Sequence, residues 1–361
     1  MTSSILPPSY TLTSTAQICS LWSNYGSVSR LHVSSPKTTL ILKSILPPSS
    51  STGDESHLRK LISYRVERYF YTHLSPLLSS LRSTKVAEAI SVNDPTGQLL
   101  LEDLSVSYPV TCYGSLTLRS TASVLTWLAG FHATFWAPES SPTLSPKVGS
   151  PIRPPLSVKS PTTANGIWER GGYWYLGTRS EELSSLLNDR HTEEGYLRKW
   201  IKDVDRRIRS EAPGWKTIIH GDVKGANIFL SSNPDRTPSP EDLKAALYDF
   251  QYCGISTPAV DLVYFIGTTV DRTLLKDLDN LLSIYYTHLQ RAYETTHDGN
   301  KLEEETGYSY GVLKEQWDVA VVDWMRFMAG WGVWGNWRWV REQAEAAVNK
   351  WESEGRVPVD D

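Results

Sequence analysis

The stretch that decides the fold is IIHGDVKGANIFL at residues 218–230, and ALYDFQ at residues 246–251 completes it. Apolar runs on both sides of HGDVKGAN predict two short strands joined by a polar loop. That loop carries Asp222, Lys224 and Asn227 close together. Taken alone, an Asp followed by an Asn is also typical of ordinary turns. Acidic residues at the ends of two buried strands are costly unless their charges meet a cation, so we interpret the two stretches as a functional site.

These residue types suit phosphoryl transfer from ATP, which requires a carboxylate facing the acceptor hydroxyl, a cation on the γ-phosphate and oxygen ligands for Mg²⁺. Asp222 is the predicted group that orients or deprotonates the acceptor, and Lys224 would neutralise charge on the γ-phosphoryl group. Asn227 and Asp249, the acid of ALYDFQ, are the predicted Mg²⁺ ligands. The spacing D-x-K-x-x-N, opened by His-Gly and followed by Asp-Phe, follows the kinase catalytic loop and its metal-binding aspartate. The sequence therefore predicts a kinase.

Further strings, spread over roughly residues 20–270, extend this interpretation. They are NYGSVSR at 24–30, LILK at 40–43, ERYFYTHL at 67–74, LLLEDLS at 99–105, LAGFHA at 128–133, HGDVKGAN at 220–227 and DFQYCGISTPAVDLVYFI at 249–266. In these strings and their order the chain resembles the aminoglycoside phosphotransferase and choline kinase superfamily, and most closely its ecdysteroid kinase-like branch. DFQ in place of the DFG of protein kinases is specific to the small-molecule branch.

The resemblance implies an α+β, two-lobed protein-kinase-like fold. A small β-rich N-lobe at residues 1–102 would hold the nucleotide with its strands and one helix. A larger, mainly helical C-lobe at residues 103–361 would carry the catalytic loop, the metal site and the acceptor pocket.

A lysine in the predicted N-lobe points to the nucleotide phosphates. Residues 38–46 (TTLILKSIL) predict a short central strand with Lys43 near its end, and a buried ammonium group requires a partner. The resemblance implies that the partner is Glu67, on a helix predicted from about residue 55 to 78 after the cap-rich residues 51–54. The pair would hold Lys43 against the α- and β-phosphates. Alternatively, Glu67 only solvates the helix surface.

Two segments are expected to complete the ATP site. SNYGSVSRLHV at residues 23–33 has a single glycine, which is a weak phosphate-loop signal, but Gly26 and Ser27 could offer backbone N–H groups and a hydroxyl. The family that the chain resembles also lacks a glycine-rich loop at this position. In LLLEDLS, which leads to the hinge between the lobes, the resemblance implies that the Glu102 carbonyl and the Leu104 N–H bind adenine.

Three further residues are predicted to support the loop rather than react. His220 would organise the backbone around the catalytic aspartate. Asp261, at the start of the helix predicted from PAVDLVYF, would cap that helix or bind the loop backbone. His132 is more typical of a hydrogen-bonded structural histidine than of a catalyst.

Aromatic residues in the C-terminal segment are spaced for one face of a helix. They are Trp317, Trp324, Phe327, Trp331 and Trp334. The spacing is typical of core packing, but some of these rings could also line the acceptor pocket. A cage for a cation would suit choline-like acceptors, and a broad apolar wall would suit steroids. The sequence does not choose between them.

Composition and charge exclude several classes of protein. The formal net charge is −4, so there is no global basic footprint for nucleic acid. The three cysteines are far apart, which is typical of a reducing compartment. Because the N-terminus has no basic region and no long apolar run, we expect neither a signal peptide nor a membrane anchor, and the cytoplasm is the predicted location. The predicted partner is a small hydroxylated molecule, with no nucleic acid and no membrane, and the oligomeric state stays open.

One segment has low complexity. Residues 137–163 are dominated by proline and serine, so they are predicted to be a disordered insert of the C-lobe. The segment could be a passive surface loop or a docking or phosphorylation site.

Together these features predict an ATP- and Mg²⁺-dependent phosphotransferase that acts on a hydroxyl of a small molecule. A pseudokinase, which binds nucleotide without transferring phosphate, is the alternative from another functional class. A protein kinase is disfavoured, because no APE-like sequence follows DFQ and little room remains for an activation segment.

Overall fold

The computed structural model describes residues 5–34, 37–48, 53–81, 83–93, 97–157, 165–189, 192–237, 239 and 242–359. The strands in this part of the chain are β1 (Thr11–Ser20), β2 (Gly26–Ser34), β3 (Thr39–Ile45), β4 (Lys85–Val86), β5 (Ala89–Asn93), β6 (Gln98–Glu102), β7 (Val110–Thr111), β8 (Gly149–Ser150), β9 (Asn165–Gly166), β10 (Thr217–Ile219), β11 (Ile228–Leu230), β12 (Ala245–Leu247) and β13 (Gly254–Ser256). The helices are α1 (Glu55–Tyr69), α2 (Leu118–Thr134), α3 (Ser145–Val148), α4 (Ser180–Asn188), α5 (Ile201–Ser210), α6 (Ala259–Thr269), α7 (Leu278–Thr296), α8 (Leu302–Thr306), α9 (Tyr310–Trp331) and α10 (Trp337–Ser353).

The N-terminal sheet is antiparallel and has the strand order β1-β2-β3-β6-β5. Side chains of β3 alternate between its faces: Leu40 and Leu42 are buried in a small outer core with Leu31. Ile41 packs against the main core on the other face. Lys43 shares that face and therefore points inward, towards α1.

Helix α1 begins at the predicted position. Asp54 caps its first turn by accepting a hydrogen bond from the His57 N–H at 2.7 Å. The regular helix ends at Tyr69 and not near residue 78, because the chain continues as a π turn at Phe70–Leu74 and a 3₁₀ turn at Ser75–Ser80. The 3₁₀ turn has a proline in its first turn, where the missing N–H costs nothing.

Two small sheets position the predicted catalytic stretches. Strands β11 and β12 form an antiparallel hairpin in the sheet β4-β12-β11-β7, and β10 pairs with β13. Ile228, at the start of β11, pairs with Leu247, at the end of β12. The loop between β10 and β11 therefore lies next to the segment that follows β12. Strand β4 pairs with β12 in parallel, although its sequence lies within the predicted N-lobe.

The C-terminal region is mainly helical and surrounds one large apolar core. Fully buried indole rings fill it: Trp127, Trp136, Trp174, Trp200, Trp324 and Trp351. No helix in the described part of the chain combines the length and the apolar character that crossing a membrane would require.

The proline- and serine-rich segment is packed where the structure describes it, at residues 137–157. Leu144, Val148 and Ile152 are buried in the main core, and β8 pairs with β9. The predicted disorder is therefore wrong for these residues, because apolar side chains four residues apart dock the segment despite its composition. Residues 158–163 of the predicted insert lie outside the described residues.

Candidate active site

The loop between β10 and β11 is held in place by Asp261, at the start of α6. Its carboxylate accepts hydrogen bonds from the backbone N–H groups of His220 and Gly221, both at 2.8 Å. Gly221 has a φ of 81°, and a Cβ atom there would lie 2.2 Å from the Tyr252 carbonyl oxygen. Of the two roles predicted for Asp261, binding the loop backbone is the one the structure shows; the helix cap position is Pro258.

His220 fixes the backbone on the other side of the loop. Its Nε2 donates to the Tyr248 carbonyl at 3.0 Å, and its Nδ1 accepts from the Asp222 N–H at 3.2 Å. A carbonyl can only accept and an amide N–H can only donate, so these partners select the neutral tautomer with the proton on Nε2. Burial lowers the pKa of His220, although the charges of Asp261 and Asp222 oppose this effect.

The two oxygens of the Asp222 carboxylate differ in their hydrogen bonding. Oδ2 accepts from the Lys224 Nζ at 2.8 Å and from the Asn227 Nδ2 at 3.1 Å. Oδ1 is buried and has no hydrogen-bond partner within the described residues. A buried carboxylate oxygen without a donor is costly, so this atom is suited to accept a hydrogen bond from a bound molecule.

Tyr264 borders the same carboxylate. Burial, followed by the negative charge of Asp222, raises the pKa of Tyr264 well above its usual range. Burial alone would lower the pKa of Lys224, but the contact with Asp222 outweighs this effect, and the net shift is upward. Lys224 therefore stays charged beside the carboxylate.

Asp249 and Glu67 meet at Lys43. The Lys43 Nζ lies 2.6 Å from Glu67 Oε2 and 2.9 Å from Asp249 Oδ1, so the predicted contact between Lys43 and Glu67 is present. Asp249 has a φ of 71°, which is a strained conformation for a residue other than glycine and is common at functional sites.

The charged groups in this cluster shift one another's pKa values. Burial would lower the pKa of Lys43, but Asp249 and Glu67 outweigh it and hold that pKa above its usual value. Burial raises the pKa of Glu67 despite the attraction of Lys43. Burial also opposes ionisation of Asp249, yet Lys43 lowers its pKa below the usual value.

The other residues predicted to bind ATP lie on strands of the N-terminal sheet and in the turn that follows it. Gly26 has a φ of 138° and begins β2 beside Ser27, and a Cβ atom on Gly26 would lie 1.9 Å from the Ser44 carbonyl oxygen. Glu102 ends β6, and its carboxylate accepts from Lys85. Leu104 is buried and begins a 3₁₀ turn.

The hinge is tied to the N-terminal sheet by an ion pair between Arg30 and Asp103. The Arg30 Nε lies 2.7 Å from Asp103 Oδ2, and Asp103 Oδ1 accepts from the Ser105 N–H at 3.1 Å. Arg30 belongs to the string NYGSVSR. This contact explains physically why an arginine follows the predicted phosphate segment.

A cavity of about 440 Å³ opens beside Asp222, Lys224 and Asp249. Cationic side chains line another part of its wall: Arg59, Lys60 and Arg179. Aromatic residues supply most of the remaining surface: Trp22, Tyr64, Tyr173, Tyr252, Tyr264, Trp331 and Trp334. The size and the mixture of apolar walls with a few polar groups are typical of a small-molecule site.

The C-terminal aromatic residues divide between the two roles left open by the sequence. Trp317, Trp324 and Phe327 are buried in the core. Trp331 and Trp334 line the cavity, and Trp331 is 49% exposed. Core packing therefore applies to the first three rings, and the other two border the cavity beside Asp222.

Sequence reasoning missed the cationic wall. A signal was present in the predicted helix α1, where Arg59, Ser63 and Glu67 follow one another at intervals of four residues. The structure shows that this polar stripe faces the site, since the Ser63 hydroxyl donates to the Gln251 side chain at 3.2 Å. No comparable local signal marks Arg179, which the fold brings in from elsewhere.

The sequence model of the ecdysteroid kinase-like family matches residues 26–297, well over half of the 361 residues. The chain belongs to the ecdysteroid kinase-like family. The region that matches this family contains the Lys43 cluster, the loop and Asp261, but it ends before Trp331 and Trp334. No curated protein matches the chain.

Several solved structures are similar to this member of the ecdysteroid kinase-like family. A choline kinase from Cryptosporidium parvum Iowa II is 10% identical, with 99% of this chain and 94% of that chain covered and a TM-score of 0.49. Choline kinase LicA from Streptococcus pneumoniae is 14% identical, with 95% and 94% covered and a TM-score of 0.44. A microcompartment-associated aminopropanol kinase is 12% identical, with 97% of both chains covered and a TM-score of 0.44. The predicted α+β, two-lobed protein-kinase-like fold is confirmed.

Proposed function

We propose that the protein is an ATP- and Mg²⁺-dependent phosphotransferase that moves the γ-phosphate to a hydroxyl of a small molecule. The observation that carries this proposal is the Asp222 carboxylate, whose Oδ2 is held by Lys224 and Asn227 while the buried Oδ1 has no partner among the described residues. An acceptor hydroxyl would satisfy Oδ1, and the Tyr264 hydroxyl, which interacts with the same carboxylate, borders that position. Membership of a family named for kinases supports the same conclusion.

The residues present fit a Mg²⁺ ion that is shared with a nucleotide. Within the described residues, no group of three or more His, Cys, Asp or Glu side chains could hold a metal ion by itself. Mg²⁺ at kinase sites typically uses one or two protein ligands together with phosphate oxygens. Asp249 and Asn227 would supply these ligands, since the Asn227 amide nitrogen donates to Asp222 and leaves its oxygen for the metal. Bound there, Mg²⁺ would neutralise charge on the phosphates.

The other residues of the proposed site are assigned to the phosphates and the adenine of ATP. Lys43, oriented by Glu67, is proposed to contact the α- and β-phosphates. Gly26 and Ser27 are proposed to cover the phosphates, and the backbone of Glu102 and Leu104 is proposed to bind adenine. The N-lobe would then end at residue 102.

The proposed chemistry is a single in-line displacement. The acceptor oxygen forms a bond to the γ-phosphorus while the bond from that phosphorus to the β,γ-bridging oxygen breaks, and the electron pair leaves with ADP. Asp222 orients the acceptor hydroxyl and takes its proton at Oδ1. Lys224, which already contacts Asp222, offsets the charge that develops on the transferred group.

The protein's location is proposed to be the cytoplasm. Cys19, Cys112 and Cys253 form no disulfide, and the latter two are buried thiols. This arrangement suits a reducing compartment.

Asp222→Asn tests the proposed function. The amide keeps the shape of the side chain but cannot take the hydroxyl proton, so we expect ADP release with an accepted substrate to fall about 10²–10⁴-fold. Calorimetric affinity for Mg·ATP should change little. The matched control is Asp235→Asn, the same substitution at an exposed position.

Two results would contradict the proposal. Turnover of Asp222→Asn at the wild-type rate would remove this carboxylate from the mechanism. Binding of ATP by the wild-type protein without acceptor-dependent ADP release across a broad panel of hydroxylated metabolites would favour the pseudokinase alternative.

A further inference from the structure

We propose that the acceptor carries a carboxylate as well as its hydroxyl, on an apolar body, and that Arg59 binds this carboxylate. The proposal rests on the phosphotransferase function proposed above and names the class of its substrate. It is based on the charges that line the cavity beside Asp222.

Arg59 is a buried cation whose hydrogen bonds go to uncharged groups. It is 7% exposed and lines the cavity. Its Nη1 donates to the Thr178 carbonyl at 2.6 Å, and its Nη2 lies 3.5 Å from the Ser56 hydroxyl. Within the residues that the structure describes, no carboxylate oxygen lies within 4.0 Å of its guanidinium. A buried guanidinium is costly without a charge of opposite sign.

Other buried guanidinium groups of the same protein do have such partners. Arg170 contacts Asp205 and Asp323, and Arg326 contacts Asp323 at 2.8 Å. Arg59 differs from them in lining the cavity, where a ligand could supply the missing carboxylate. Burial, followed by the charge of Arg179, lowers the pKa of Arg59, and the negative charge of Glu182 opposes this effect only in part.

Lys60, the next residue, strengthens this positive wall. Its Nζ contacts the Ser23 hydroxyl at 3.2 Å and lies 5.0 Å from the centre of the Tyr25 ring. Among the described residues, no carboxylate oxygen is within 4.0 Å of its Nζ. The acids that line the cavity are already engaged, because Asp222 pairs with Lys224 and Asp249 pairs with Lys43. The acids that act on these two cations, Glu182 on Arg59 and Asp54 on Lys60, are therefore not in direct contact with them among the described residues.

The aromatic surface argues against a cationic acceptor. Arg179, which pairs with Glu182, lies 4.3 Å from the centre of the Tyr173 ring, and also contacts the faces of Phe327 and Trp331. The protein's own guanidinium thus occupies rings that a quaternary ammonium group would need for a cage. The remaining aromatic surface, which includes Trp334, is suited to the apolar body of an acceptor.

Binding of a matched series of probes tests the proposal. The probes are 4-(hydroxymethyl)benzoate, 4-(hydroxymethyl)benzamide and 4-(hydroxymethyl)benzyltrimethylammonium, which share a ring and a hydroxyl but differ in charge. Isothermal titration is performed on the full chain saturated with Mg²⁺ and AMP-PNP, so that binding is measured without turnover. We expect the benzoate to bind about 10- to 100-fold more tightly than the amide, the range that a charge-assisted hydrogen bond supplies. We expect the ammonium probe to bind most weakly.

Variants identify the cation that is responsible. Arg59→Gln should abolish the preference for the benzoate, Arg59→Lys should restore part of it, and Lys60→Gln should reduce it. The control Arg272→Gln removes a guanidinium from an exposed position outside the cavity and should leave the preference intact. If Arg59→Gln does not fold, Lys60→Gln and the loss of preference at high salt carry the test.

Several outcomes would overturn the proposal. Equal binding of benzoate and amide, tighter binding of the ammonium probe, or no binding of any probe would each do so. An Arg59→Gln variant that loses AMP-PNP affinity as strongly as benzoate affinity would assign Arg59 to the nucleotide phosphates instead. ADP release from ATP is measured separately with each probe. Tighter binding of the benzoate that depends on Arg59, with no ADP release from any probe, would support the acid site and count against the phosphotransferase function. ADP release with only the amide or the ammonium probe would support the phosphotransferase function and contradict the acid site.

Discussion

Replacing Asp261 by Asn should destabilise the protein and misplace the catalytic loop together. Asp261 is fully buried, and its Oδ1 accepts from the Gly221 N–H at 2.8 Å. Its Oδ2 accepts from the His220 N–H at 2.8 Å and lies 3.1 Å from the His132 Nε2. An asparagine offers a single acceptor oxygen, so at least one backbone N–H of the loop would face an amide N–H instead.

The contacts set the expected magnitude. A hydrogen bond to a charged group contributes about 1.5–3 kcal/mol, and leaving a buried donor without a partner costs about 1–3 kcal/mol. The His132 ring can change its tautomer, because its Nδ1 faces the Tyr285 hydroxyl, which can donate or accept, whereas the two N–H groups of the loop can only donate. We therefore expect the free energy of unfolding to fall by about 2–4 kcal/mol in Asp261→Asn.

Urea unfolding followed by tryptophan fluorescence measures this loss, and ADP release measures the effect on the loop. Asp235→Asn, at an exposed position, is the control and should change the free energy of unfolding by less than about 0.5 kcal/mol. Without urea, where Asp261→Asn is still folded, we expect its turnover to fall. The reason is that Asp222 directly follows His220 and Gly221, whose N–H groups Asp261 anchors. A loss of stability no larger than that of the control would refute the claim that Asp261 anchors the loop.

Three further predictions concern other parts of the cleft and the fold. Lys43→Ala should raise the apparent KM for ATP and lower kcat, and Glu67→Ala should have the same effects more weakly. The double variant should be little worse than Lys43→Ala, whereas additive losses in steady-state kinetics would show that the two residues act separately. Asp249→Ala should weaken the Mg²⁺-dependent part of ATP binding in calorimetry, because it removes the charged side chain of the proposed metal site. An unchanged affinity would exclude Asp249 from that site. Leu144→Ala should lower the free energy of unfolding by about 2–3 kcal/mol in urea, and no change would mean that its burial contributes nothing to the fold.

The catalytic loop was predictable because its chemistry is local. Asp222, Lys224 and Asn227 lie on one short loop, so their spacing alone brings the side chains together. Apolar runs on both sides predicted the strands that hold the loop. The contact between Lys43 and Glu67 spans two elements, and only the family resemblance indicated it in advance.

The parts that the sequence did not reveal depend on tertiary contacts or on single residues. Composition predicted disorder for residues 137–163, because proline and serine dominate any average over that window. That average hides three apolar residues whose burial decides the structure of residues 137–157: Leu144, Val148 and Ile152. The burial of Arg59, and the lack of a carboxylate within 4.0 Å of it in the described chain, likewise have no counterpart in the sequence. Both depend on which segments surround α1.

The distribution of charge in the cleft connects the two proposals. On one side, a single ammonium group, Lys43, contacts two carboxylates, Glu67 and Asp249, which leaves this buried cluster with a negative charge. On the other side, Arg59 and Lys60 are cations without a carboxylate within 4.0 Å in the described chain. Asp222 and Lys224, which line the same cavity, balance each other. A metal ion would compensate the first side and an acidic acceptor the second, so the two imbalances of opposite sign favour a pair of ligands that meet at Asp222.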